Sequence, residues 1–242
     1  PFPVGQGDLK MALDAIIHDA SVRGIPCCLA AMTEQDCQLT EQLYPGKFRF
    51  YSDRNSFDYI YAIDDLADLR GRKFQKKRNH LNRFEQEHPN VEILPLDEST
   101  RVAAFLLAEQ WYQNRCAAEP SRDFHLEQLA LHRAFAFWQQ LGMEGVVLME
   151  NGQAMAFAMG SRLNGDTFDI HFEKALDIYD GAYAAVNRGF ARYLREKYPE
   201  VKWLNREDDL GIEGLRKAKL SYCPDHMVEK YWARLWEEED DH

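Results

Sequence analysis

The stretch Gly145–Ala175, GVVLMENGQAMAFAMGSRLNGDTFDIHFEKA, predicts three antiparallel strands. Asn-Gly pairs at 151–152 and 164–165 separate three runs that are rich in apolar residues. An Asn-Gly pair between such runs is a strong local signal for a β-hairpin turn, because both residues tolerate the backbone angles of the turn. We therefore expect a meander of three neighbouring strands.

Helices and further strands are predicted on both sides of this meander from amphipathic runs and cap residues. They are helices at about 100–115, 126–141, 182–198 and 212–220, and strands at 201–205 and 227–235. The order of these elements resembles that of acyltransferases of the GCN5-related N-acetyltransferase type. We therefore predict an α/β (α+β) fold. A similarity of fold alone says little about the chemistry that a protein performs.

The first hundred residues read as the later part of a second, tandem copy of this fold. The opening PFPVGQGD, residues 1–8, reads as the end of a strand followed by an Asp that caps a helix running to about Arg23. We therefore expect the first half to be incomplete at its N-terminus. A junction at 97–99 predicts a first acyltransferase-like half at 1–96 and a second at 97–242.

The composition is that of a globular protein with no membrane span. The chain has 242 residues, 45% of them hydrophobic, and a formal net charge of -11. No apolar run reaches the roughly 18 to 20 residues of a transmembrane helix, and we expect a cytoplasmic location. The five cysteines show no paired CxxC spacing, so no metal site is predicted. The acidic tail EEEDDH, 237–242, is expected to be solvated.

The most basic segment is RKFQKKRNHLNRF, Arg72–Phe84, in a chain whose acidic charge argues against a broad nucleic-acid surface. On a helical wheel Lys77 falls inside the apolar arc and Arg78 flanks it, whereas Lys76 and Arg83 point away. This split predicts that Lys77 and Arg78 face a cleft that holds an anion. The alternative is that Lys77 reaches the surface along its aliphatic stem and Arg78 pairs with an acid.

The last strand of the meander, TFDIHFEKA, carries three polar residues at a spacing of two. Residues two apart in a strand share a face, so we expect Asp169, His171 and Glu173 on one side. His171 and Glu173 are candidates for a general acid and base or for orienting an amine. The alternative is a half-exposed strand whose polar residues face water.

The third segment of interest is NREDDLGIEGLRKAKLSY, 205–222. Four polar residues lie at the C-terminal end of the strand predicted at 201–205: Asn205, Arg206, Glu207 and Asp208. Ligand sites often gather at such strand ends in α/β folds, although helix capping is the alternative for Asp208 and its neighbour Asp209. Three basic residues follow in the helix and are suited to a phosphate or carboxylate: Arg216, Lys217 and Lys219.

Coenzyme A is not expected as the donor. Acetyl-coenzyme A enzymes of this fold bind the pyrophosphate at a Gly-rich, basic turn before a helix. Here the turn reads LDIYDGAYAAVN, with the single Gly181 and with Asp177 and Asp180 beside it. Two carboxylates would repel a pyrophosphate, so we predict no cofactor.

Three motifs together resemble a known family. KKRNHLNRF, HFEKA with GAY and an Asn downstream, and NREDDLGIEGLRKAKLSY are similar to a bacterial family of uncharacterised proteins related to the phosphatidylglycerol lysyltransferase C-terminal domain. The resemblance covers nearly the whole chain. It implies two tandem GCN5-related halves, as in the Fem aminoacyltransferases, and aminoacyl-tRNA as a donor. It also implies a lipid-headgroup acceptor, and a small-molecule amine or hydroxyl is equally possible.

The leading hypothesis from the sequence is an aminoacyl- or acyltransferase in which an amine or hydroxyl attacks an activated ester. The predicted catalytic residues are His171 and Glu173. The predicted donor- or acceptor-binding residues are Lys77, Arg78, Asn79, His80, Asn205, Arg206, Glu207, Asp208, Lys217, Lys219 and Tyr222. The alternative is a module without catalytic activity that binds an anionic ligand or RNA through the basic helix.

Overall fold

The computed structural model describes residues 1–236, within which there are eight α-helices and ten β-strands. The helices are α1 (Leu9–Arg23), α2 (Glu34–Leu43), α3 (Ile63–Asp68), α4 (Gln75–Glu87), α5 (Arg101–Ala118), α6 (His125–Ala136), α7 (Ala182–Lys197) and α8 (Glu213–Leu220). The strands are β1 (Cys28–Met32), β2 (Phe48–Ser52), β3 (Asp58–Ala62), β4 (Glu92–Pro95), β5 (Glu144–Glu150), β6 (Gln153–Arg162), β7 (Thr167–Ala175), β8 (Trp203–Asn205), β9 (His226–Val228) and β10 (Tyr231–Leu235). The acidic tail that was expected to be solvated lies outside the described residues.

The chain forms two compact units. The first comprises residues 1–58, 208–216 and 227–236, and the second comprises 59–207 and 217–226. None of the described helices combines the length and apolarity needed to cross a bilayer. The division into two acyltransferase-like halves after residue 96 stays a prediction.

The first unit is built on an antiparallel sheet in the order β1-β10-β2. Its core contains Phe2, Leu13, Leu29, Met32, Phe48 and Ala233. The single strand predicted at 227–235 is wrong, because the structure divides it into β9 and β10, which belong to different sheets. The break falls at Glu229 and Lys230, where the Lys230 ammonium pairs with Asp58 at 2.7 Å.

The N-terminal segment confirms one prediction and corrects another. Asp8 caps α1 as predicted, since its Oδ1 accepts a hydrogen bond from the Met11 amide at 3.0 Å. Residues 1–4 are not a strand, although the Phe2 amide donates to a β1 carbonyl at 3.0 Å. Pro3 lacks the N–H that a strand ladder needs, which explains the difference.

The second unit contains the predicted meander. The strand order is β4-β5-β6-β7-β8-β3, with β9 beyond β3. Strands β5, β6 and β7 pair antiparallel, and β8 pairs in parallel with β7 at residues 167–169. A core that includes Trp111, Leu131 and Phe157 packs α5 and α6 on the meander. The mixed α/β class of the fold is therefore confirmed.

An extra residue in β7 alters the directions of its side chains. The register between β6 and β7 shifts at Met159 and Gly160, where His171 is the additional residue in β7. A Cβ on Gly160 would lie 1.9 Å from the Asp169 carbonyl oxygen, so only glycine permits this approach of the two strands. A bulge of this kind bends the strand and redirects the residues that follow it.

The prediction that Asp169, His171 and Glu173 share a face is wrong for Glu173. Phe168 packs against a phenylalanine of α7, with ring centroids 5.9 Å apart. Asp169 and His171 alternate with Phe168 and therefore face away from α7. Glu173 follows the bulge and accepts a hydrogen bond from Asn187 of α7 at 2.8 Å, so it lies on the α7 side.

Candidate functional site

A cavity of about 670 Å³ lies in the second unit, bounded by α4, the start of α7 and the segment that follows α8. Its wall includes Lys73, Lys76, Lys77, His80, Gly181 and Tyr222. Three lysines therefore converge on one concavity in a chain of strongly negative net charge. The cavity volume is in the range of small-molecule sites.

Lys77 lies in the wall of this cavity, as the helical wheel predicted for its direction. Its Nζ is 3.9 Å from the centroid of the Tyr222 ring, a cation–π distance. Burial, and then the charge of Arg206, lower the pKa of Lys77 to about 8. Cys223 and Glu173 act in the opposite direction but do not offset the burial. The ammonium is therefore charged at neutral pH at an energetic cost that a bound anion would reduce.

The other residues of the basic segment differ from the prediction in two respects. Lys76 was expected to point away, but it also lines the cavity, because the wall extends around the exposed side of α4. The Arg78 guanidinium donates to the carbonyl oxygens of Leu69 and of Gly71, the latter at 2.7 Å. Arg78 therefore secures the turn before α4. Its predicted role in anion binding is untested, but two of its donor bonds are already committed to the backbone.

The two remaining predicted residues of α4 are exposed. His80 lines the cavity, and its Nδ1 lies 3.8 Å from a carboxylate oxygen of Asp180. Asn79 is also exposed on this helix. The basic segment thus contributes two kinds of side chain to the cavity wall. Lysines lie at the first turn of α4, and the imidazole of His80 lies one turn later.

A buried ion pair lies behind Tyr222. Arg206 Nη2 donates to Glu173, whose other oxygen accepts the bond from Asn187. Both side chains of the ion pair are nearly buried, at 12% and 13% exposure. Burial opposes the charge of Arg206, but Glu173 outweighs this effect and raises the pKa of the guanidinium. The guanidinium carbon is 4.9 Å from the Tyr222 ring centroid, so Tyr222 contacts both Arg206 and Lys77.

This ion pair leaves hydrogen-bonding capacity unused. Arg206 Nε and Nη1 are buried and have no hydrogen-bond partner within the part of the chain that the structure describes. The same is true of Asn187 Oδ1. A buried polar atom without a partner costs about 1–3 kcal/mol. The two donor atoms of Arg206 are thus suited to a carbonyl oxygen or an oxyanion of a ligand. The Asn187 acceptor is suited to an amine of a ligand.

The carboxylates beside the start of α7 are compensated. Asp177 pairs with Arg115 at 3.2 Å, and Asp180 pairs with Arg83 at 3.3 Å. The expectation that coenzyme A is not the donor rested on repulsion of its pyrophosphate by these two carboxylates. Because each carboxylate is paired with an arginine, this repulsion is weaker than expected. Helix α7 starts at Ala182 after Gly181, which provides no side-chain cap, and its first turn borders the lysine cavity.

A second polar cluster lies on the other side of β7. His171 Nε2 is 2.8 Å from Ser161 Oγ. The other ring nitrogen, Nδ1, is 3.4 Å from Glu207 and 3.7 Å from Asp169. Burial disfavours the imidazolium, but the hydrogen bond that it donates to Glu207 and the charge of Asp169 outweigh this effect, so the pKa of His171 lies above its usual value. Sequence reasoning missed Ser161, although pairing across the Asn164-Gly165 turn would have set it opposite Asp169.

The same cluster offers a donor set for a cation. Asp169, His171 and Glu207 each supply one ligand atom, and these atoms lie within 4.8 Å of one another. One imidazole and two carboxylates are a donor set that divalent ions accept. The expectation that the chain has no metal site stays a prediction.

The remaining predicted residues either make contacts within the chain or lie on its surface. Asn205 is buried and its Oδ1 accepts from the Glu207 amide at 2.8 Å, which supports the left-handed conformation of Glu207 at φ 53°. Lys219, predicted to meet an anion, is buried instead and donates to the Arg206 carbonyl. It stabilises the chain at Arg206, and Lys217 is exposed on α8.

Asp208 belongs to the first unit, where it pairs with Lys230 at 3.4 Å. Its neighbour Asp209 is fully buried, and its carboxylate accepts from the Gly211 amide and from Arg216 at 2.9 Å each. The Gly211 amide lies in the turn before α8, which starts at Glu213, so this bond stabilises the turn and the capping alternative stays a prediction. Arg216 was predicted to meet a ligand anion and instead pairs from α8 with this buried carboxylate, at 2.8 Å.

The chain matches the family described as "Phosphatidylglycerol lysyltransferase, C-terminal" over residues 2–234. It belongs to this family. The match confirms the resemblance inferred from the three sequence motifs, and it includes the lysine cavity, the buried Arg206–Glu173 pair and the His171 cluster.

Several solved structures resemble this member of the lysyltransferase C-terminal family along most of its length. A conserved protein of unknown function from Bacteroides thetaiotaomicron is 41% identical, with 97% of this chain and 78% of that chain covered and a TM-score of 0.89. L-PGS from Bacillus licheniformis is 17% identical, with 94% and 73% covered and a TM-score of 0.67. FemX is 9% identical, with 94% and 77% covered and a TM-score of 0.60. The last two similarities concern the fold alone.

A curated relative is an uncharacterised protein of Mycoplasmoides gallisepticum, 25% identical over 182 residues. The match covers 75% of this chain but only 57% of that relative. The chain thus corresponds to little more than half of the relative's length.

Proposed function

We propose that this chain is an aminoacyl- or acyltransferase whose transfer site is the lysine cavity. The observation that carries the proposal is the position of Lys77, which contacts Tyr222 in the cavity wall while Tyr222 contacts the buried Arg206–Glu173 pair. Membership of the lysyltransferase C-terminal family supports group transfer as the reaction class. Aminoacyl-tRNA is the proposed donor, and a lipid headgroup or a small amine or hydroxyl is the proposed acceptor.

The lysines and the start of α7 supply the site for the donor phosphate. Lys73, Lys76 and Lys77 place three cations around one cavity. Backbone N–H groups at a helix start add to the attraction for an anion. The compact cation of lysine suits phosphates that approach from several directions.

Arg206 supplies the polar contact for the reacting ester. Its unused Nε and Nη1 donors are suited to the oxygen that becomes negative when an amine or hydroxyl attacks the carbonyl carbon. Glu173 holds this guanidinium in place, and Asn187 Oδ1 offers an acceptor for the attacking group. Of the two predicted proton acceptors, Glu173 lies on the α7 side with Arg206, whereas His171 faces away from α7. We therefore assign Glu173 to the transfer site.

The test is transfer from tRNAs charged with labelled amino acids, with phosphatidylglycerol vesicles and ethanolamine as separate acceptors. We expect labelled product with at least one acceptor and a loss of about tenfold or more in Lys77→Ala and Glu173→Gln. Lys202→Ala, which removes an exposed lysine of the same unit, is the matched control and should retain the rate. His171→Ala distinguishes the two proton acceptors, since a loss there and not in Glu173→Gln would assign the proton to His171.

Two results would contradict this function. Tight binding of uncharged tRNA with no transfer to either acceptor would favour the module that binds RNA without catalysis. A rise in melting temperature with coenzyme A but not with aminoacyl-tRNA would favour an acyl-coenzyme A donor. The compensated Asp177 and Asp180 make this second measurement necessary.

A further inference from the structure

Ser161, His171 and Glu207 form a hydrogen-bonded series on the face of the sheet that points away from α7. Ser161 Oγ is 2.8 Å from His171 Nε2, and His171 Nδ1 is 3.4 Å from Glu207. Asp169 is a second carboxylate at 3.7 Å from the same Nδ1. A hydroxyl, an imidazole and a carboxylate in this sequence of contacts are the arrangement that activates a serine nucleophile.

The three groups come from three adjacent strands or strand ends. Ser161 is in β6 opposite Asp169 of β7, so both side chains lie on one face. The bulge at His171 turns its ring toward Ser161, and Gly160 permits the bulge. Glu207 follows the end of β8 and extends to the ring. Its backbone amide donates a hydrogen bond to the Asn205 side chain. Each contact therefore has a backbone feature that maintains it.

The series is accessible to a small substrate. The His171 side chain is 29% exposed and that of Glu207 is 49% exposed. Ser161 is partly buried at the edge of the same group. The imidazole and the Glu207 carboxylate are therefore in contact with solvent, and the partly buried Ser161 lies beside them.

We propose that Ser161 is a nucleophile that accepts an acyl group from small activated esters, with His171 as its general base and Glu207, assisted by Asp169, orienting the ring. This is a second activity on the opposite side of β7 from the lysine cavity, and it does not depend on the transfer proposed there.

The chemistry balances without a cofactor. In the tautomer that carries the ring proton on Nδ1, Nε2 accepts the Ser161 hydroxyl and Nδ1 donates to Glu207. Ser161 Oγ attacks the ester carbonyl carbon, and its proton passes to Nε2. The bond to the leaving alcohol then breaks, and the alcohol takes this proton. Water repeats the cycle on the seryl ester, which releases the carboxylic acid and restores Ser161.

The test uses p-nitrophenyl acetate and a fluorophosphonate probe on the full chain. We expect a burst of p-nitrophenol, and one phosphonyl group per chain that peptide mass spectrometry locates at Ser161. Ser161→Ala should abolish the label, and Ser121→Ala, at an exposed serine of the same unit, should retain it. His171→Gln should slow labelling by about 100-fold or more, the range for loss of a general base. Glu207→Gln should slow it by about tenfold.

Other outcomes would overturn the proposal. A folded wild-type chain that shows no label at Ser161 would do so, as would equal labelling of wild type and His171→Gln. Ser161→Cys keeps a nucleophile at the same position and should react with iodoacetamide faster than Cys116, which is exposed. If EDTA removes the labelling and Zn²⁺ restores it, the carboxylates and His171 serve as metal ligands and the assignment of Glu207 as orienting group is wrong.

Discussion

The Lys77 ammonium lies 3.9 Å from the centroid of the Tyr222 ring, and the Arg206 guanidinium carbon lies 4.9 Å from it. After burial, the charge of Arg206 is the second of the two causes that lower the pKa of Lys77. Glu173 neutralises Arg206, but no salt bridge to a carboxylate is found for Lys77 among the described residues. Lys77 is therefore the cation of this group that remains for a ligand, and its titration can be measured.

Binding of an anion in the cavity should depend on pH through Lys77. With a pKa of about 8, its charge is present below that pH and lost above it. We expect the affinity for adenosine 5′-monophosphate, whose phosphate keeps its charge over this range, to fall by roughly fivefold between pH 7.5 and 9.5, equivalent to about 1 kcal/mol of one ion pair. Calorimetric titration measures this. Lys77→Arg stays charged throughout and should bind with constant affinity, and a parallel fall in both proteins would contradict the role of Lys77.

Replacing Lys77 by methionine should stabilise the fold at neutral pH. The pKa of Lys77 in the folded chain, about 8, is below its ordinary value of 10.5. Between these values the unfolded chain binds more protons, so the wild type gains stability as pH rises through this window. Below pH 8 the charged Lys77 opposes folding, and we expect Lys77→Met to raise the free energy of unfolding at pH 7 by about 1 kcal/mol after allowance for solvent screening. Urea unfolding should show this gain disappear above pH 10.5.

A methyl group at Gly160 should disrupt the bulge in β7. The Cβ would meet the Asp169 carbonyl oxygen at 1.9 Å, and neither backbone can move without breaking the ladder. We expect Gly160→Ala to lower the free energy of unfolding by roughly 2–4 kcal/mol. Gly165→Ala is the matched control, since nothing lies within 4 Å of its Cβ. If both variants unfold at the same urea concentration, the bulge does not require glycine.

Removing Glu173 should destabilise the second unit, because it leaves Arg206 buried without its counter-charge. We expect Glu173→Gln to cost about 3 kcal/mol in urea unfolding, the range for breaking a buried pair. The exposed pair of Arg162 and Glu200 provides the control, and Glu200→Gln should cost less than about 1 kcal/mol. A similar small cost in both variants would show that water reaches Arg206.

The parts of the fold that the sequence predicts well are those with local causes. The meander follows from two Asn-Gly turns, and the start of α1 follows from the cap at Asp8. The direction of Lys77 follows from the wheel of a single helix. Arg78 was less predictable, because its carbonyl partners depend on the turn at 69–71, whose geometry the helical pattern does not contain.

The candidate sites depend on contacts between strands and strand ends. Alternation predicts that His171 and Glu173 share a face, and the bulge opposite Gly160 separates them. Ser161 joins His171 only through the register of β6 on β7, and Glu207 joins them from a strand end 36 residues later.

The family, the order of the elements and the concentration of lysines are thus properties of the linear sequence, because turn, cap and helical periodicity act over a few residues. The tertiary structure alone determines which polar groups share a site. A single extra residue in β7 sets the direction of the side chains that follow it, and the alternating pattern of the strand does not show that residue.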